Sequence, residues 1–368
     1  MSSRNPTIDH LKAVACLLIV CHHLAFYGPM CDVLRTVWPG LIDWFDIYAR
    51  MAVQVFLVLG GYLAAATLTP KAQCADQPFW PVVSQRFVRL SMPYSAALVL
   101  AIVVNETVRS QGFDHPSVSA TPTWDSLLAH LLLLHSIGDW ESISAGVWYV
   151  AIDMQLYALC WAWLWLCSRS RARRKWGPIG IAIATAASLL LWNLDSQLDM
   201  WAVYFIGAYG LGMMAWWATH SATAGQRQIW VTLIIVLSGA ALALAWRDRI
   251  ALAAVCALAL AIGAAQPWPA AWGRRSLAPL VWIGQRSYSI FLVHFPISLL
   301  VNAEVYRGWP NSVTASAMGV GIAIAMSITS GAVLYEWTEK TPVSWQRLRQ
   351  WYVGVASTSC IAMLCQWF

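Results

Sequence analysis

Long apolar runs separated by short polar segments recur along most of the chain and determine its predicted secondary structure. A helix needs about 20 apolar residues to cross a bilayer, and the pattern predicts about ten such helices. They lie near 8–27, 47–68, 88–108, 143–167, 178–194, 200–218, 229–246, 249–265, 286–303 and 313–336, with a weaker run near 351–367. Two further runs, 127–137 and 277–283, are too short to span and are interpreted as interfacial or re-entrant segments.

The composition favours a membrane protein over a soluble one. Hydrophobic residues make up 59% of the 368 residues, charged residues make up 11%, and the mean hydropathy is +0.58. Together with the apolar runs, these values predict an all-α integral membrane protein. We expect a polytopic bundle of about 10–11 transmembrane helices that forms a single domain over 1–368. The 9 cysteines lack the spacing of a disulfide framework or a metal site.

The distribution of Lys and Arg predicts the orientation in the membrane. If the loops alternate sides, about 17 of the 23 basic residues fall on the side of the N-terminus, with "SRSRARRKW" at 168–176 as the densest group. The positive-inside rule therefore predicts a cytoplasmic N-terminus. We expect a multi-pass protein of the plasma membrane, which in bacteria is the inner membrane. The net charge of +6 reflects this topology and gives no sign of nucleic-acid binding.

Ionisable residues in the first apolar run are the first candidates for function, because such groups are costly within a span. Asp9, Lys12 and His23 all lie in this run, and the eleven-residue step from Lys12 to His23 completes about three helical turns, so these two share one face. His22 points to another side. A buried histidine can also serve only to bond a neighbouring carbonyl, and this interpretation stays open for His22 and His294.

Later runs carry further polar residues. Arg86 and Arg89 lie one turn apart, where two guanidiniums suit the capture of phosphate, although they could also be ordinary topology anchors. Asp153 lies about ten residues into a predicted helix, where an unpaired carboxylate is expensive. Gly60 and Gly61 are interpreted as sites of close helix packing. The predicted outer loop contains three histidines that are interpreted as solvated and not as metal ligands, namely His115, His130 and His135.

The order of these motifs resembles the acyltransferase 3 family of polytopic membrane O-acyltransferases. The chain has Asp9-x-Leu11-Lys12 with His23 eleven residues after the lysine, followed by "QVFLVLGGYL", Arg86-x-x-Arg89, "VWYVAIDMQLY", "SYSIFLVHFP" and "YEWTEKTP". The resemblance covers about 8–342. In this chain Lys12 replaces the more usual Arg, Gly60 replaces Ser, and Asp153 replaces Glu.

The resemblance implies transfer of an acyl group, acetyl above all, from cytoplasmic acyl-CoA to a hydroxyl of a surface or exported glycan. Lys12, Arg86 and Arg89 would bind the CoA phosphates. His23 would act as general base, with Asp153 as its acid partner; an acyl-histidine intermediate stays open. No metal is required. Second-rank candidates for contacts with substrate are Asp9, Trp148, Tyr157, His294 and Glu339.

Two other functions are compatible with these residues. A proton-coupled transporter would use His23 and Asp153 as a relay, although the sequence shows no inverted repeat. An inactive relative could instead serve as a scaffold for a polymer-export complex. Besides acyl-CoA, the glycan acceptor and the lipid bilayer, homo-oligomers or glycan-export proteins are possible partners.

Overall fold

The computed structural model describes residues 6–70, 77–263 and 278–365, and within these ranges the regular structure is helical. Its α-helices are α1 Pro6–Tyr27, α2 Pro29–Arg35, α3 Pro39–Ile47, α4 Val53–Leu68, α5 Phe79–Ser110, α6 Trp124–Leu131, α7 Trp148–Ser168, α8 Trp176–Leu190, α9 Ala202–His220, α10 Ala224–Leu244, α11 Asp248–Gly263, α12 Ala278–Gly308, α13 Val313–Leu334 and α14 Trp345–Cys365. Short 3₁₀ segments lie at Ala49–Ala52, Trp192–Leu194 and Ser196–Leu198. A π-turn, Tyr335–Glu339, directly continues α13.

The structure confirms an all-α polytopic membrane protein. Among the described residues, 8 helical segments are long and apolar enough to cross a bilayer. The predicted runs 200–218, 249–265 and 351–367 correspond to α9, α11 and α14, which are outside those 8 segments. The helical segment that contains the predicted run 47–68 is longer than expected, since it already begins at Pro39.

The interpretation of 277–283 as a separate short segment is wrong. Residues 278–283 form the first turns of α12, a 31-residue helix that continues through the predicted span 286–303. The sequence hides this continuity because the polar residues 285–287 interrupt the apolar run, whereas a helix backbone needs no apolar side chains to continue. In the other short run, 127–137, only α6 is helical, and its 8 residues are too few to span.

Some sequence predictions lie outside the described residues. They include four of the basic residues counted on the side of the N-terminus, namely Arg4, Lys71, Arg274 and Arg275. They also include the ends of the predicted runs at 264–265 and 366–367, and position 277.

Residue contacts divide the chain into two compact units. Unit 1 comprises Met1–Ala52, Phe87–Ala151 and Pro279–Phe368, and unit 2 comprises Val53–Arg86 and Ile152–Ala278. The single domain expected from the sequence stays a prediction.

Within unit 2, glycines allow α4 and α9 to pack backbone against backbone. A Cβ placed on Gly61 would lie 1.8 Å from the carbonyl oxygen of Tyr209, and one placed on Gly212 would lie 1.9 Å from that of Val58. Both distances are far below van der Waals contact, so the two helices approach at these positions only because the side chains are absent. The prediction of close packing at Gly61 is therefore confirmed.

Within unit 1, α12 packs in the same way against α1. A Cβ on Gly284 would lie 1.9 Å from the carbonyl oxygen of Asp9. Ser287, one turn further along α12, accepts a hydrogen bond at its carbonyl from the Cys16 thiol over 3.4 Å. This packing places the histidines of the two helices at the same level.

Candidate functional site

The site in unit 1 is built around two histidines on α1 and α12. His23 Nδ1 lies 2.6 Å from His294 Nε2, and His294 Nδ1 lies 2.6 Å from the carbonyl oxygen of Phe291. The exposed fraction is 9% for His23 and 0% for His294. Two buried imidazoles are thus linked to each other and to a backbone carbonyl, although 271 positions separate them in the sequence.

Aromatic rings surround His23. Tyr27, one turn along α1, and Phe295 of α12 both present their edges to it, with ring centroids at 5.8 Å and 5.9 Å. Such an apolar environment disfavours a permanently charged imidazole. A neutral ring with an available lone pair is the form that a general base requires.

His22 has a different role from its neighbour. Its Nδ1 lies 3.3 Å from the carbonyl oxygen of Phe45, so the ring donates a hydrogen bond that ties α1 to α3. This contact agrees with the interpretation of His22 as a structural histidine. His294 also bonds a backbone carbonyl, but its second nitrogen contacts His23.

A buried ion pair lies in unit 2. Arg86 Nη2 is 2.6 Å from Asp153 Oδ2, and the exposed fractions of the two side chains are 28% and 5%. The guanidinium carbon also lies 5.1 Å from the centroid of the Tyr157 ring. A Cβ on Gly60 would come within 2.9 Å of Asp153 Oδ1, so the carboxylate packs against the bare backbone of α4.

This contact bears on two sequence predictions. Asp153 was expected to orient His23, and Arg86 was expected to bind CoA phosphates. The structure pairs these two residues with each other. The roles inferred from the sequence stay predictions.

Another carboxylate, in unit 1, interacts with two of the predicted cations. Glu339, the last residue of the π-turn, accepts hydrogen bonds at Oε1 from the Ser289 hydroxyl at 2.5 Å and from the Ser289 backbone N–H at 3.2 Å. The positive charges of Lys12 and Arg89 both act on this carboxylate. Three predicted residues therefore converge here from α1, α5 and the end of α13. π-turns are uncommon and often mark functional positions.

The other two second-rank candidates are Asp9 and Trp148. Asp9 is buried in the first turns of α1, beneath α12, and its backbone contacts Gly284. Trp148 is the first residue of α7, and its ring centroid lies 6.3 Å from that of Tyr149.

Comparison with known proteins decides the class. A family model described as acyltransferase domain, acyltransferase 3, matches residues 5–336. The chain belongs to the acyltransferase 3 family. Searches of curated proteins and of solved structures each find no match. The family resemblance predicted from the motifs is confirmed, and the protein is a multi-pass membrane acyltransferase. Acyl transfer is therefore favoured over transport.

The matched range of this acyltransferase contains nearly every candidate named above. It includes Lys12, His23 and His294, whereas Glu339 lies three residues beyond its end. Within the described residues, no group of three or more His, Cys, Asp and Glu side chains is placed to hold a metal ion. The chemistry supported by these residues is proton transfer and anion binding.

Two histidines in the segment before α7 are buried, so the prediction that they are solvated is wrong. His130 and His135 were expected to be solvated, but both are 0% exposed, and their rings stack face to face with centroids 4.1 Å apart. His130 also accepts a hydrogen bond from the Ile143 backbone N–H at 3.3 Å, while its Nδ1 lies 2.8 Å from the Ser126 carbonyl oxygen. Burial lowers the pKa of His130 to about 4 and that of His135 to about 3. Burial of this kind, at the end of the 8-residue helix α6 and in the turn that follows it, leaves no periodic signal in the sequence.

Proposed function

We propose that the protein transfers an acyl group, acetyl above all, from acyl-CoA to a hydroxyl of a surface or exported glycan, with His23 as general base. The observation that carries this proposal is the buried His23 imidazole, which is bonded to a second imidazole inside the first span of an acyltransferase. A titratable group at this depth is costly and needs a functional reason.

The reaction needs one proton acceptor. The sugar hydroxyl oxygen attacks the thioester carbonyl carbon while the basic nitrogen of His23 takes the hydroxyl proton. Collapse of the tetrahedral intermediate breaks the C–S bond, and the CoA sulfur leaves with the proton that His23 returns. The products are the O-acyl sugar and free CoA, so that atoms and charges balance without a metal or redox step.

Cations on the same unit as His23 support binding of the donor. Lys12 and Arg89 both act on Glu339, and Lys12 lies eleven residues before His23 on α1, a rise of about 16 Å. The extended pantetheine arm of CoA can bridge a separation of this order when its phosphates bind the two cations. Binding of the donor by Arg86 remains a separate prediction from the sequence.

The two substrates are proposed to arrive from opposite sides of the membrane. The excess of Lys and Arg on the side of the N-terminus supports a cytoplasmic N-terminus in a bacterial inner membrane. Lys12 lies near the N-terminal end of α1 and His23 near its C-terminal end. In this orientation the donor approaches from the cytoplasm and the glycan from outside.

The test compares two adjacent histidines. Membranes that contain the wild-type protein, His23→Ala or His22→Ala receive radiolabelled acetyl-CoA, and label is counted in the polysaccharide fraction. We expect His23→Ala to lose transfer by a factor of about 10²–10⁴, the usual contribution of a general base. His22→Ala is the matched control and should retain most activity, since the His22 ring bonds the backbone carbonyl of Phe45 on α3.

Binding of the donor gives the second measurement. His23→Ala should bind acetyl-CoA as the wild type does, whereas Arg89→Ala should bind it more weakly. Normal transfer by His23→Ala would exclude this residue as the base. Unchanged donor affinity in Arg89→Ala would make that arginine a topology anchor.

A further inference from the structure

The two imidazoles of the site lie edge to edge. Their planes differ by 5° and their centroids are 4.9 Å apart, while the nearest nitrogens are only 2.6 Å apart. In two rings stacked face to face, the distance between centroids is close to the shortest distance between atoms. The stacked rings of His130 and His135, for comparison, have centroids 4.1 Å apart. The short contact between His23 and His294 is therefore an N–H···N hydrogen bond that lies in the plane of both rings.

The positions of the protons follow from the partners. A carbonyl oxygen can only accept, so His294 Nδ1, at 2.6 Å from the Phe291 oxygen, carries a hydrogen. A neutral imidazole has one N–H, which leaves a lone pair on His294 Nε2. His23 Nδ1 must then be the donor in the 2.6 Å contact, and the lone pair of His23 lies on Nε2.

The opposite assignment requires a cation. If His23 Nδ1 were the acceptor, His294 would have to carry hydrogens on both nitrogens and a positive charge. His294 is 0% exposed, and a charge without a counter-ion is expensive in such a place. The neutral assignment satisfies each of the three polar atoms without that penalty.

We infer that His294 is the positioning residue of the base: it holds His23 in the Nδ1–H tautomer, so that Nε2 is the nitrogen that takes the proton from the acceptor hydroxyl. This inference rests on the proposed function. A carboxylate has the equivalent role in the serine-protease triad, where it fixes the tautomer and orientation of the catalytic imidazole. Here the orienting group is a neutral imidazole, which is in turn oriented by the Phe291 carbonyl.

The polypeptide before α7 covers this arrangement. A Cβ on Gly146 would lie 3.1 Å from the Phe291 carbonyl oxygen and 3.4 Å from His294 Cε1. The backbone at Gly146 therefore packs directly on the carbonyl and the ring that orient His23. This contact helps to exclude water, which would otherwise compete for the Phe291 oxygen and allow His294 to change tautomer.

Three variants of His294 separate positioning from packing. His294→Gln keeps an acceptor oxygen within reach of His23 Nδ1, whereas His294→Leu and His294→Ala offer none. We expect kcat to fall by a factor of about 10²–10⁴ in the Leu and Ala variants. KM for acetyl-CoA should stay unchanged, and the Gln variant should recover most of kcat. A variant that had merely lost its packing would not be rescued by glutamine in preference to leucine.

Nitrogen NMR provides a readout that does not depend on activity. The chain has 8 histidines, and the His23 resonances are identified by their loss in His23→Gln after labelling with ¹⁵N-histidine. In the wild type, Nδ1 should show the shift of a protonated nitrogen and Nε2 that of an unprotonated one. In His294→Leu the two tautomers of His23 should mix.

The outcomes separate this inference from the proposed function. Loss of transfer in His23→Ala together with full transfer in His294→Leu overturns the inference alone, as does an Nε2–H tautomer of His23 in the wild type. A glutamine variant as inactive as the leucine variant also overturns it. Full transfer in His23→Ala overturns the proposed function and with it the role assigned to His294.

Discussion

Replacing Asp153 with asparagine is expected to destabilise the protein, because it leaves the Arg86 guanidinium without the carboxylate that it contacts at 2.6 Å. Asparagine has nearly the same shape as aspartate, so the change removes charge and little volume. Breaking a buried ion pair at one partner costs about 3–5 kcal/mol, whereas exposed pairs contribute about 0–1 kcal/mol. Asp153 is 5% exposed but Arg86 is 28% exposed, so we expect a loss near the lower bound, about 3 kcal/mol.

The same reasoning predicts the behaviour of a double variant. Replacing Arg86 with methionine and Asp153 with leucine removes both charges together, and buried pairs replaced by apolar residues are often neutral in stability. We therefore expect the double variant to be more stable than Asp153→Asn. The exposed pair of Glu304 and Arg307 on α12 provides the control, since these side chains are 45% and 56% exposed. Glu304→Gln should cost about 0–1 kcal/mol.

Equilibrium unfolding in mixed detergent micelles measures these differences. A change below about 0.5 kcal/mol for Asp153→Asn, equal to that of Glu304→Gln, would refute the view that burial makes this pair strongly coupled. A double variant less stable than Asp153→Asn would refute it as well, since the removal of Arg86 would then have relieved nothing.

Three further predictions concern other parts of the chain. Gly61→Ala should separate α4 from α9 and destabilise unit 2, because its Cβ would lie 1.8 Å from a carbonyl oxygen of α9, whereas Gly239→Ala, with open space around it, should not; thermal unfolding compares them. Glu339→Gln should lower KM for acetyl-CoA more than for acetyl-pantetheine, which lacks the nucleotide phosphates, because the positive charges of Lys12 and Arg89 are then no longer offset by the carboxylate. The segment around His130 and His135 should open as the pH falls from about 6.5 toward 4. Their pKa values are lowered by burial to about 4 and about 3, so the buried neutral rings stabilise the fold fully above 6.5 and lose that contribution in acid. Hydrogen exchange of the Ile143 amide, corrected for the intrinsic effect of pH, should increase over this range and would remain constant if the rings were solvated.

The membrane helices could be predicted because the bilayer imposes their length and hydropathy. The start of α12 shows the limit of this signal. Residues 278–283 belong to the same helix as the next apolar run, but a sequence window divides a long helix wherever polar side chains interrupt it. The membrane determines the apolar content of a span, but a helix can extend beyond its longest apolar run, as α12 does.

The candidate residues could also be predicted from the sequence, but their partners could not. His23, Arg86 and Asp153 were identified because each is ionisable inside an apolar run. The contacts that they make depend on which helices are neighbours, and the step from His23 to His294 covers 271 positions. Helical periodicity predicts which residues share a face of one helix, but it gives no information about which helix packs against that face.

In the proposed reaction, the pairing of His23 with His294 bears on the charge of the reacting groups. Both imidazoles start neutral in that proposal, so proton transfer to His23 and attack on the thioester create one positive and one negative charge together, and the net charge stays zero. A fixed carboxylate bonded to His23 would stabilise the imidazolium but would also repel the oxyanion that forms beside it in a medium of low dielectric constant. A neutral orienting group stabilises the imidazolium less than a carboxylate does, but it does not repel the oxyanion. The arrangement therefore suits a base that accepts a proton only while negative charge develops on the substrate.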